Sequence, residues 1–337
     1  MYRSARKFLF RLDPERSHAI GMGSLNLLHR LGLSRLLADP AVQDPVTLMG
    51  LDFANRVGLA AGLDKNAEHL DALGALGFAA VEVGTVTPRP QGGNARPRLF
   101  RLPEHHAIIN RMGFNNQGVE RLIANVARSR YAGVIGINIG KNLDTPVEKA
   151  LDDYLTCLER VHAHAHYITV NISSPNTPGL RNLQFGDQLN ALLSGLKAQT
   201  HTLDRRLGRR VPLAVKIAPD MTDPEIDLVA ECLRACEIDA VIATNTTVER
   251  EAIADSPLAA ESGGLSGRPV RKAATRVIER LRERLPETVI VGVGGIDDGE
   301  AALEKRRAGA DLIQLYSGLI YRGPALVSEC AAALKNA

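Results

Sequence analysis

The chain is short of several features that would decide its chemistry at once. Its four cysteines, Cys157, Cys232, Cys236 and Cys330, include no C-x-x-C pair. A zinc ribbon or iron–sulfur cluster is therefore not expected, and the chain is read as metal-free. Nothing in that number suggests a disulfide framework, which fits a reducing compartment. No apolar run approaches the ~18 residues that cross a bilayer. The longest early run is FLF (residues 8–10), too short for the core of a signal peptide. No G-x-G-x-x-G turn follows the first expected strand, which weakens an open doubly wound sheet. No G-x-S-x-G is present, which disfavours a hydrolytic triad. Aromatic residues are only 4%, and the bases beyond the first 35 residues are balanced by acids, so nucleic-acid binding has little support.

Charge is present but unevenly placed. Residues 1–35 hold Arg3, Arg6, Lys7, Arg11, Arg16, Arg30 and Arg35 against Asp13 and Glu15, a net +5, and the rest of the chain carries −2. In this head Tyr2, Ala5, Leu9 and Leu12 recur at helical spacing, and Arg3, Arg6 and Lys7 fall mostly on another face. Pro14 opens a second segment with Ile20, Leu25, Leu28 and Leu31, in which Gly21 and Gly23 weaken a continuous helix. Two readings fit: a hairpin packed on the main domain with a solvated basic edge, or a helix pair at an anionic membrane surface.

The remainder alternates eightfold. Apolar, β-branched runs recur at 57–62, 79–86, 133–140, 167–174, 212–219, 240–247, 289–296 and 312–319, most of them continuously hydrophobic. Parallel strands covered on both faces read this way. Amphipathic helical stretches follow at Val119–Val126, Val147–Val161, Glu225–Cys236, Arg271–Leu285 and Ala325–Leu334. The pattern predicts a (β/α)8 barrel, preceded by a small helical extension. The extension is placed at 1–40 and the barrel domain at 41–337. Two connections, Pro88–Asn116 and Val248–Pro269, are overlong, and such insertions in a barrel usually sit at the catalytic face.

A barrel requires the polar strand ends to converge on one rim. Those ends supply Lys65, Thr85, Asn138, the stretch NISSPNTPGL (171–180), Lys216, Thr244 to Thr246, Gly294–Gly295 and Tyr316–Ser317. The glycine pair and Ser317 follow strands seven and eight, where barrels commonly bind phosphate. A lysine in such a site serves as a Schiff-base nucleophile, as an anion partner, or as a charge beside a redox ring. A sugar-phosphate aldolase would use the first. Asn110, Asn171, Asn176 and Asn245 offer amides that match a cyclic imide edge, a uracil-like ring.

Together these motifs resemble the class 2, quinone-linked, FMN-containing dihydroorotate dehydrogenases. The marks are AAGLDKN (60–66), EVGTVTPRPQ (82–91), INRMGFNN (109–116), GINIGKN (136–142), NISSPNTPGLR (171–181), VKIAPD (215–220), ATNTT (243–247), GGLSGRP (263–269), GVGGI (292–296) and YSGLIY (316–321). They run in order across nearly the whole chain. The resemblance implies that Ser174 is the base, where class 1 members carry cysteine; it takes the C5 proton of dihydroorotate while C6 gives a hydride to FMN. A serine base needs an outlet for its own proton, and Thr177 and water are the candidates for that relay. FMN would be held by Ala61, Gly62, Leu63, Asp64, Lys65, Thr85, Asn138, Asn171, Lys216, Thr244, Gly267, Gly295, Tyr316 and Ser317. Orotate would be held by Lys65, Asn110, Arg111, Met112, Gly113, Phe114, Asn171, Asn176, Asn245 and Thr246. The resemblance also turns the basic head into a membrane-associating quinone tunnel, with His18 and Arg101 near ubiquinone or menaquinone. It implies a monomer, peripheral on the cytoplasmic side of a bacterial inner membrane, serving pyrimidine biosynthesis.

Overall fold

The computed structural model describes residues 2–34, 37–39 and 41–336; Arg35 of the basic head and the expected boundary at position 40 lie outside these residues. Two helices open the chain, α1 (Tyr2–Leu9) and α2 (Pro14–Arg30). Asp13 caps the second, its carboxylate accepting from Arg16 N at 3.0 Å, and Pro14 starts it without forfeiting a needed donor. Helix α2 runs unbroken through Gly21 and Gly23. Around it Phe8, Ile20, Leu27 and Leu31 stay exposed, while Ser17 and Met22 are buried.

A hairpin of β1 (Val46–Leu48) and β2 (Leu51–Phe53) comes next and closes one end of the barrel, packing on Ala80, Val134, Tyr167, Ala240 and Leu312. The barrel consists of β3 (Val57–Leu59), β4 (Ala80–Val86), β7 (Val134–Ile139), β8 (Tyr167–Asn171), β9 (Leu213–Ile217), β10 (Ala240–Ala243), β12 (Val289–Val293) and β13 (Leu312–Leu315), all parallel. It closes through Ile313↔Val57 and Gly58↔Ala80. Each expected strand run contains one of these strands. All are buried on both faces, because the interior packs one set of side chains and the helices cover the other.

The outer layer comprises α3 (Leu70–Gly74), α4 (Val119–Val126), α5 (Ala150–Val161), α6 (Gly186–Leu207), α7 (Asp223–Ala235), α8 (Arg271–Arg284), α9 (Gly299–Arg307), α10 (Ser317–Arg322) and α11 (Ala325–Lys335). Helix α7 shows why such segments start where they do. Thr222 and Glu225 form a capping box, and Ile226, Val229, Ala230 and Leu233 then face the barrel at helical spacing.

The two overlong connections meet over the rim. The first folds into β5 (Leu99–Leu102) and β6 (Ala107–Asn110); the second supplies β11 (Gly264–Gly267), which pairs antiparallel with β6. Sequence reading placed both at the catalytic face but did not foresee that they form one sheet.

Candidate active site

Beneath this sheet, at the carboxyl ends of the barrel strands, lies a cavity with about 1020 Å³ of atom-free space, its mouth included. Ala61, Gly62, Lys65, Thr85, Asn110, Met112, Gly113, Phe114, Asn171, Ser174, Asn176, Lys216, Thr244, Asn245, Thr246, Gly267, Gly295, Tyr316 and Ser317 line it. Residues scattered over 250 positions of sequence converge because most follow the ends of barrel strands, while Asn110 to Phe114 and Gly267 come from the sheet that covers the rim.

One end of the cavity is a backbone cradle. Gly294 and Gly295 have φ of +120° and +74°, which only glycine adopts readily. Among the described residues no carbonyl accepts the backbone N–H of Gly294, Gly295, Ser317 or Gly318. Ser317 Oγ lies 2.8 Å from Ser266 Oγ. Free N–H groups beside small residues suit an anion such as a phosphate.

The middle is polar and ordered. Lys216 projects from β9 and is 5% exposed. Burial pushes its pKa down, with the Glu82 carboxylate pulling it back up. No protein acceptor among the described residues holds its ammonium. Thr85 Oγ1 donates to Asn138 Oδ1 at 2.5 Å and accepts from Asn171 Nδ2 at 3.0 Å. Asn171 Oδ1 in turn accepts from Ser173 Oγ at 3.2 Å and Asn245 Nδ2 at 3.4 Å. Thr246 Oγ1 is buried in the wall without a partner among the described residues. A side chain at Gly264 would collide with that hydroxyl, so the lid must carry glycine there.

The turn-rich stretch after β8 carries Ser174 into this setting. Ser174 is 6% exposed, and its Oγ accepts from Asn176 N at 3.2 Å, with no acceptor for its hydroxyl proton among the described residues. The loop is clamped by Arg181, which donates to Ser173 O at 3.1 Å, to Thr246 O at 2.8 Å and to Asp220 Oδ2 at 2.7 Å. Opposite, Lys65 donates to Gly62 O at 2.9 Å. Burial, then the Arg98 cation, bring its pKa down to about 8. The surface Lys65 retains faces the cavities.

A second cavity opens between α2 and the rim and shares Gly62, Lys65, Asn110, Met112, Ser266 and Tyr316 with the first, so the two adjoin across these residues. His18 lines it from α2. The residue is exposed, yet desolvation by the groups around it, with Lys65 and His69 nearby, lowers its pKa to about 4. Glu15 anchors this side: Arg98 donates to both its oxygens, at 2.9 and 3.0 Å, and holds its pKa down.

The profile of the dihydroorotate dehydrogenase family matches residues 45–337. The chain belongs to that family. It is 59% identical to the dihydroorotate dehydrogenase (quinone) of Stenotrophomonas maltophilia, covering all of this chain and 96% of the relative. It is likewise 59% identical to the enzyme of that name from Chromobacterium violaceum, covering 99% and 97%. In structure it resembles DHODH from Eimeria tenella solved in complex with ferulenol, with a TM-score of 0.88 at 38% identity, over 96% of this chain and 91% of that one.

Not every residue named from sequence reaches the first cavity. Leu63 and Asp64 face the second, where the Asp64 carboxylate accepts from Glu68 N and His69 N. Asn138 is fully buried one layer below Thr85. Arg111 turns into the lid, donating to Glu261 at 2.5 Å and lying over the Phe100 ring. Arg101 closes the end of α1, donating to Leu9 O at 3.2 Å, Phe10 O at 3.3 Å and Leu12 O, and lines neither cavity. Gln314 and Ser266 line the first cavity and were not named. The signal for Gln314 was a lone amide inside the apolar strand LIQL.

Proposed function

We propose that the protein oxidises dihydroorotate to orotate at this rim, using FMN in the first cavity and passing electrons to a quinone through the second. The observation that carries the reading is the placement of Ser174, buried on a clamped loop, in one cavity with two lysines and four asparagines. FMN supplies the hydride acceptor when bound. The residues present fit it: the N–H cradle at Gly294, Gly295, Ser317 and Gly318 suits its phosphate, and Lys216, an ammonium without a protein acceptor, suits an electron-rich ring edge. Ala61, Gly62, Thr85, Thr244, Gly267 and Tyr316 complete that side, with Asn138 supporting Thr85 from the layer below.

For the substrate, Lys65 pairs with the carboxylate, and Asn110, Asn171, Asn176 and Asn245 match the imide edge. Ser174 Oγ takes the C5 proton; the Asn176 N–H holds that oxygen in place. Thr177, buried three residues on, is the relay for the serine's own proton, and unchanged flavin reduction in Thr177→Val would remove it from the mechanism. The head associates peripherally with the cytoplasmic face of a bacterial inner membrane, through exposed Phe8, Ile20, Leu27 and Leu31 among basic residues, and the protein acts as a monomer. No described helix is long and apolar enough to cross a membrane. Leu27→Gln/Leu31→Gln should abolish co-sedimentation with anionic vesicles.

The deciding experiment is anaerobic titration of the purified protein with L-dihydroorotate. Bleaching of a flavin band at one equivalent supports cofactor, substrate and half-reaction together. A flavin band that stays unbleached removes the substrate assignment.

A further inference from the structure

Only one carboxylate is carried by any barrel strand: Glu82, on β4, with no solvent exposure. A buried carboxylate is costly unless donors satisfy it. Three do. Tyr167 OH donates to Oε2 at 2.9 Å, Gln314 Nε2 to the same oxygen at 2.8 Å, and Asn138 Nδ2 to Oε1 at 2.8 Å. The first two close a polar plug across the barrel. The third begins a chain of side chains that climbs to the rim.

A carboxylate can only accept, whereas a carboxamide presents a donor on one side and an acceptor on the other. Glu82 therefore compels Asn138 to turn its NH₂ downward and its oxygen toward Thr85. Thr85 must then donate to Asn138, at 2.5 Å, and accept from Asn171, at 3.0 Å. Asn171 is left with its oxygen facing Ser173 and the NH₂ of Asn245, which itself donates to Ser173 Oγ at 2.9 Å. Reversing any link would set donor against donor at Asn171 and Asn245. From the barrel centre this direction is set by one negative charge; at the rim the backbone N–H groups of Ser173 and Thr246, which donate to Asn171 Oδ1 at 3.3 Å and to Asn245 Oδ1 at 2.8 Å, agree with it. Lys216 lies within the field of the same charge.

We propose that Glu82 is a positioning residue: its carboxylate fixes the hydrogen-bond direction of the Asn138–Thr85–Asn171–Asn245 chain and so presents the rim amides in the one orientation that receives the substrate ring. This rests on the functional reading above. The test uses the full-length flavin-loaded protein and measures orotate affinity from the perturbation of the flavin absorption band, together with thermal stability. Glu82→Gln removes the charge at constant shape. The double exchange Glu82→Gln/Gln314→Glu keeps one acid–amide pair in the plug but takes the carboxylate away from Asn138.

Both variants should bind orotate about tenfold more weakly, with flavin retained and the double variant melting within a few degrees of the wild type. Wild-type affinity in Glu82→Gln overturns the inference. So does recovery in the double variant, which would make Glu82 a core-packing residue only. If Glu82→Gln does not fold, the double variant decides alone. A wild-type flavoprotein whose spectrum ignores orotate would instead overturn the substrate assignment, a result distinct from either.

Discussion

Arg181 is where the geometry makes its most exposed claim about rate. Its guanidinium joins three loops that follow three different strands: Ser173 after β8, Asp220 after β9 and Thr246 after β10. Arg181→Lys keeps the charge but not the spread of donors over Nε and the two Nη atoms, so a single ammonium nitrogen is expected to lose two of these bonds. Hydrogen bonds to charged groups contribute about 1.5–3 kcal/mol each. Losing two, with partial relaxation of the loop, costs about 3 kcal/mol of the energy that holds Ser174 over the cavity. If that energy secures the reactive geometry, flavin reduction by dihydroorotate slows about 100-fold, because ~1.4 kcal/mol corresponds to a factor of ten. Global stability should change far less, the melting temperature falling by only a few degrees, since the bonds tie loops rather than core. Asp220→Asn, which retains the backbone anchors, should slow reduction about tenfold. Stopped-flow reduction under anaerobic conditions reads all three proteins. Arg181→Lys reducing its flavin within threefold of the wild-type rate would refute the reasoning, because the loop would then hold its position without the clamp.

Other expectations follow from individual sites. Ser174→Ala should lower the rate of flavin reduction by about 10²–10⁴-fold, the usual contribution of a positioned base, with orotate affinity nearly unchanged. Lys65 binds a carboxylate only as a cation, and its pKa in the free protein is about 8. Orotate affinity should therefore be constant below pH 8 and fall as pH rises through it, approaching tenfold per unit; a flat profile to pH 9.5 in a binding titration would contradict this. Gly21 and Gly23 sit inside α2 with open space where a Cβ would go. Gly21→Ala/Gly23→Ala should stabilise that helix by about 1–2 kcal/mol, seen as slower amide exchange in residues 14–30.

The parts of this molecule that were legible in its sequence share a physical origin. A barrel strand is buried on both faces, so its run of Val, Ile and Ala announces itself without reference to anything distant, and all eight runs hold a strand. Because every such strand points the same way, the polar residues at their ends must share a rim, and chain order alone brings Lys65, Thr85, Asn171, Lys216 and Ser317 together. Glycine in α2 misled in a different sense. Gly21 and Gly23 weaken the intrinsic propensity of that segment, and docking of Ser17 and Met22 against the body compensates.

What was not legible depends on partners far away in sequence. β11 became visible only as the neighbour of β6, more than 150 residues earlier, and neither segment states the pairing. Arg101 and Arg111 illustrate the same limit in side chains. Both lie in the insertion that covers the rim, yet long cations go where carbonyls and carboxylates await them: Arg101 to the end of α1, Arg111 to Glu261. Glu82 is the opposite case. A single acid in AAVEVGTV is anomalous on its face, because a charge in a doubly buried strand requires donors from other strands. Glu82 was nonetheless not singled out in the reading of the sequence, and only the closed barrel, with β7, β8 and β13 supplying Asn138, Tyr167 and Gln314, shows that one of those donors leads to the loop that carries Ser174. An out-of-place charge is thus a stronger pointer to a functional network than a well-placed one at a strand end, where polarity costs little and explains itself.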